Sequence, residues 1–258
     1  MSEYGRLFAA VFEKQTILLK RYWFNTLMLL VAMYIMFAMV FFGGQRIAGD
    51  GFESTLDVTV VGFFLFIAAS AAYFDVARSV MEEAQWGTLE QLYMSRFGLG
   101  SVLAARTVFN ILFSSGVSLV LLGLMLLTTG RSLSVDVITV FPLLVVTLLS
   151  VIGLGYVIAG LSLLYKRIEN VQQLLQFVFI GLIALPSVLD GIVLGVVPLS
   201  FGSGMITSAM TEGVRLWQFP AAELIVLLAN SGVYLVIGYA AFDRLVERTR
   251  DHGTLGHY

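Results

Sequence analysis

Six stretches without a single charged residue govern what this chain can fold into: residues 22–45, 58–74, 107–130, 137–165, 170–189 and 224–242. They run from 17 to 29 residues. A helix crossing a hydrocarbon core of about 30 Å needs roughly 20 apolar residues, so each is long enough or nearly so. Lipid offers no partners to backbone amides and carbonyls, which makes helices the economical form. Composition agrees, since 59% of the 258 residues are hydrophobic and 12% charged, whereas a soluble domain carries roughly 25% charge. The expected fold is an all-α polytopic membrane protein with six transmembrane helices in one domain.

A seventh charge-free run, 191–211, is rich in Gly, Pro, Ser and Thr. Such content suits broken helices that dip into protein better than a lipid-facing span, so re-entrant or short helices are expected after span five. The spans are placed at about 24–43, 58–77, 104–128, 138–164, 170–190 and 222–242. Ahead of them, residues 5–22 alternate apolar and basic positions at helical spacing and predict an amphipathic elbow helix along the membrane face. The first run exceeds a signal-peptide core and is expected to stay attached.

With six spans, twelve of the 15 Lys and Arg residues fall on one side, leaving only Arg46, Arg131 and Arg215 on the other. The positive-inside rule then puts both termini in the cytoplasm of a cell-membrane protein. On that side lie the loop 78–103, the short 166–167 loop and the tail 243–258.

The spans hold little chemistry. Both histidines, His252 and His257, sit in the tail, and there is no cysteine. Neither a nucleophile–His pair nor a thiolate metal site can form within the spans, so no catalytic, cofactor-binding or metal-binding residues are expected. Asp75 and Asp190 fall at opposite ends of their spans, about 30 Å apart, too far to share a proton. Interfacial caps or the rim of a pathway are their expected roles. No ionisable residue lies mid-span, as ion-coupled carriers usually require, and no G-x-x-x-x-G-K-[ST] phosphate loop is present. A net charge of −2 argues against a broad nucleic-acid surface.

Against this background the connection 78–96, "RSVMEEAQWGTLEQLYMSR", is conspicuous, with Arg78, Glu82, Glu83, Glu90 and Arg96 between two oily runs. Gly87 permits a break after the second span. Thr88 is placed to cap a short helix, and Glu90 suits its positive end. Leu89, Leu92, Tyr93 and Phe97 give that helix an apolar face. The pattern Glu82-x(4)-Gly87-Thr88-Leu89-Glu90-x-Leu92 resembles the coupling loop in the membrane subunits of type-2 ATP-binding-cassette exporters. An elbow helix, six spans, a broken segment after the fifth and a tail resembling R-x-R-x(2)-G-x-L-x(2)-Y extend the likeness over the whole chain. Such members often have Pro after the loop Ser, where this chain has Arg96 after Ser95.

The resemblance implies a permease subunit, working as a dimer with a second permease, expected to be a second copy. Two copies of a separate ATPase would bind ATP and Mg, so this chain would be no enzyme itself. Glu82, Glu83, Gly87, Thr88, Leu89, Glu90 and Leu92 would form the ATPase-docking loop. Spans one, two and five would enclose the path, making Met36, Phe63, Phe66 and Phe177 candidates for its lining and a hydrophobic or amphipathic molecule the expected cargo. Membrane lipid is the remaining expected partner. The rival expectation is an ion-coupled carrier or channel acting without an ATPase.

Overall fold

The computed structural model describes residues 3–48, 55–165, 168–189 and 192–251. Among them the chain is all-helical. We label the helices α1 (Glu3–Arg21), α2 (Trp23–Ala48), α3 (Leu56–Gln85), α4 (Leu89–Tyr93), α5 (Gly98–Thr129), α6 (Val137–Tyr165), α7 (Glu169–Ala184), α8 (Ile192–Val196), α9 (Ser200–Thr211) and α10 (Ala221–Asp251). Six helical segments are long and apolar enough to cross a membrane: those of α2, α3, α5, α6 and α10, and α7 together with the 3-10 turn that continues it. The chain is therefore a multi-pass membrane protein.

The long helices exceed their charge-free runs. α3 has 30 residues, about 45 Å of helix, and continues eight residues past the expected span end at residue 77. Similarly, α5 starts at Gly98 rather than near 104, and α10 reaches Asp251 rather than 242. Much of the expected loop 78–103 and tail 243–258 is thus helix. Missing charge marks only the hydrocarbon, whereas a helix goes on until its backbone is broken. In α3, Arg78 and Glu82 pair across one turn at 2.7 Å, and the break comes at Gly87, with φ +68°.

α3 lies at the centre, with 72% of its most apolar window buried, against 11% for α2 and for α7. The run from Ala68 to Ala72 explains this, because small side chains let α6 and α7 approach closely. Asn110 of α5 donates to the Ala72 carbonyl at 3.1 Å, and Gln176 of α7 donates to Ser70 at 3.2 Å. The closest helix pair is α6 with α10, which run parallel. A Cβ at Gly153 would lie 2.2 Å from the Tyr234 carbonyl oxygen, and one at Gly238 would lie 2.0 Å from that of Gly153. Only glycine admits that contact.

At one end of the bundle, α8 and α9 form the broken segment expected after the fifth span. Ser150 Oγ accepts the Leu199 N–H at 3.1 Å, holding Leu199 at φ +66°. Ser200 Oγ donates to the Leu182 carbonyl at 2.8 Å. Ser134 N–H donates to the Met210 carbonyl at 2.9 Å, and Leu216 N–H donates to Thr139 Oγ1 at 2.9 Å. The opposite end carries α1 and α4.

Candidate functional site

Glu83 organises the α4 end. It sits near the end of α3 with 3% of its surface exposed, and a carboxylate buried so deeply needs partners. Lys14 of α1 donates to Oε1 at 2.8 Å, and Arg106 of α5 donates to the same oxygen at 3.2 Å. Thr88 Oγ1 donates to Oε2 at 2.5 Å. One side chain thereby ties together α1, α3, α5 and the turn into α4. Arg106, itself 7% exposed, also reaches the Ser79 carbonyl at 3.5 Å. With the Gln15 amide oxygen turned toward it, Arg106 donates from Nε at 2.6 Å and from Nη2 at 3.2 Å. Tyr4 against Phe97 and Phe12 against Phe109 hold α1 on α5.

Gly87 takes the left-handed conformation that lets the chain turn, and α4 follows directly. Thr88 does not cap α4 as its position led one to expect. Its hydroxyl donates back to the Glu83 carboxylate and to the Glu83 carbonyl at 3.2 Å, because a buried carboxylate attracts an O–H more strongly than a short helix attracts its oxygen. Leu89 turns inward and is 4% exposed, joining the core of its own bundle, while Leu92 is half-buried against that core. A docking role requires an open surface, and neither Leu89 nor Glu83 has one. Glu82 remains partly open and paired with Arg78, and the Glu90 side chain lies outside the described residues. Facing outward are Gln91 and Met94, the latter 76% exposed.

Between α1, the start of α2, α3 and α5 opens a cleft of about 360 Å³. Tyr22, Trp86, Phe109 and Phe113 supply aromatic wall, and Gln15, Asn25, Asp75, Arg78, Glu82 and Asn110 supply polar groups. The lengths of charge-free runs reveal no such cavity, since it is made by packing α1 across two helices. Two residues that only bounded a run, Asp75 and Arg106, mark it. Asp190 lies outside the described residues.

The four candidates for a path lining do not converge. Phe63 and Phe66 are in edge contact at 6.4 Å, and Phe63 touches Phe37 of α2. Phe66 is buried, Met36 and Phe63 are half-buried, and Phe177 is 65% exposed on the outside of the bundle. Compared with protein-family models, curated proteins and solved structures, the chain matches none.

Proposed function

We propose that this chain is the permease subunit of an ATP-driven exporter, forming its path as a dimer and driven by a separate ATPase that docks on α4. The observation that carries this reading is the form of the 78–97 connection. A 30-residue helix outruns the hydrocarbon, turns at a left-handed Gly87 and presents a five-residue helix against the bundle. Leu89 fastens that helix inward while Gln91 and Met94 stay open. A short element pinned to several spans at once is suited to passing a push from a soluble partner into the bundle. The proposed docking surface is thus Gln91 and Met94 with the rim carboxylate Glu82, and Glu83, Thr88, Gly87 and Leu89 hold it in place. The basic asymmetry supports placing this end in the cytoplasm, and α1, with basic residues and no buried side chain, suits the membrane face there.

The test is co-purification. The ATPase that co-purifies with wild-type chain should be lost from Met94→Glu, with unchanged insertion, and the lone chain should hydrolyse no ATP. Retention of the ATPase at wild-type yield by Met94→Glu would remove α4 as the coupling element. ATP hydrolysis by the lone chain would remove the division of labour. Single cysteines at Ser95 and Ser134 check the topology in intact cells: an impermeant thiol reagent should label only Ser134→Cys.

A further inference from the structure

Asp75 lies 19 residues along α3 from its start, about 28 Å of helix from the α9 end and thus level with the far edge of the hydrocarbon. It lines the cleft, its surface is open to it, and among the described residues it has no hydrogen bond and no ion pair. Each neighbouring cation has another carboxylate as its direct partner, and Arg106 and Arg78 act on Asp75 only through space. Arg106 spends its guanidinium on Glu83, Ser79 and Gln15. Arg78 binds Glu82 at 2.7 Å, and Lys14 binds Glu83. One carboxylate without a direct partner is left facing the space, beside rings that attract cations through their faces.

Polarity in the cleft is graded with depth. Toward the α4 side stand Arg78, Glu82 and Trp86, and one turn beyond Asn110 stands Phe113. Its volume falls in the range that holds a drug-sized molecule.

From this we infer that the cleft between α1, α3 and α5 is an entry site for cationic amphiphiles taken from the membrane leaflet at the α4 end. Asp75 receives the positive charge, while Phe109, Phe113 and Trp86 hold the apolar body. The inference rests on the permease reading and gives its cargo a charge class. An anionic amphiphile would meet the Asp75 carboxylate and two arginines already paired with Glu82 and Glu83.

Two ions of the same shape test this: tetraphenylphosphonium and tetraphenylborate. The chain, in nanodiscs and without any ATPase, carries Trp23→Phe and Trp217→Phe, so that Trp86 alone reports from the cleft wall. Tetraphenylphosphonium should quench Trp86 saturably, and tetraphenylborate should add only a linear, lipid-like component. Asp75→Asn should weaken the cation about tenfold or more, the loss expected for one partly buried charge pair, while Asp75→Glu retains the preference. Phe113→Ala should weaken binding without altering the preference for positive charge. Equal quenching by both ions, unchanged in Asp75→Asn, would mark a lipid-filled groove and overturn the proposal. So would loss of binding in both Asp75→Asn and Asp75→Glu when size-exclusion profiles and melting match wild type. Since binding needs no ATPase, it survives if the docking reading fails. Conversely, Asp75→Asn should still co-purify the ATPase if only the cargo inference fails.

Discussion

The two ends of the bundle are held by different forces. At the α9 end, apart from a half-exposed Arg131–Asp57 pair at 3.7 Å and the Asp136 carboxylate that accepts from Thr139, uncharged hydroxyls satisfy backbone groups and helices touch through small residues: Ser150 holds Leu199, Ser200 holds Leu182, and Gly202 lies against Thr147. At the α4 end, one buried carboxylate takes two cations and a hydroxyl beside an open cleft. Neutral packing is short-ranged and intolerant of displacement. Ionic contacts fall off gradually with distance and can be exchanged. The α9 end is built as an anchor; under the proposed function, the α4 end is where an external force or ligand would be felt.

The difference can be broken most severely at Glu83. Glu83→Gln leaves Arg106 buried beside a neutral group, and removing one partner of a buried pair costs about 3–5 kcal/mol. Melting in detergent should fall sharply, and α1 should become protease-sensitive first. Two smaller effects, comparable with one another, come next, and the first is Gly202→Val, which would drive a Cβ to within 2.0 Å of Thr147 Oγ1. Overpacking of this kind costs about 1–3 kcal/mol, and a melting profile should show it while leaving the protease sensitivity of α1 unchanged. Thr88→Val removes one charge-assisted hydrogen bond, at a cost of about 1.5–3 kcal/mol if the hydroxyl is not replaced by water. It should loosen α4 more than the bundle, which hydrogen exchange over 88–94 would register. The smallest effect is expected for Lys14→Met. Lys14 is 49% exposed, so its pair with Glu83 contributes about 1 kcal/mol or less. A loss equal to that of Glu83→Gln would show that the cluster acts as one unit and that the ranking is wrong.

The spans were legible because lipid imposes a length and a chemistry that any helix must meet. The broken segment after span five was legible for a similar reason, through its Gly, Pro, Ser and Thr. Gly87 was legible as a break, since few other residues take that conformation without strain. What spacing did not reveal was direction. The apolar face of 89–97 had two possible takers, a partner and the bundle itself, and periodicity is the same for both; Leu89 went to the bundle. Nor did it reveal pairing. Lys14, Glu83 and Arg106 are distant in the chain and meet only because α1 lies against α5. Asp75 ended a charge-free run, and nothing in the run shows that a cleft opens beside it.

The α6–α10 contact has a consequence for synthesis. The Gly153 face of α6 is completed by Tyr234 and Gly238, which follow it by 81 and 85 residues. At roughly 5–20 residues per second, the ribosome needs about 4–17 s to deliver them. During that interval the notch at Gly153 has only lipid or a chaperone to fill it. A nascent chain stalled before residue 221 would present that notch as a mark of incompleteness, available to membrane quality control.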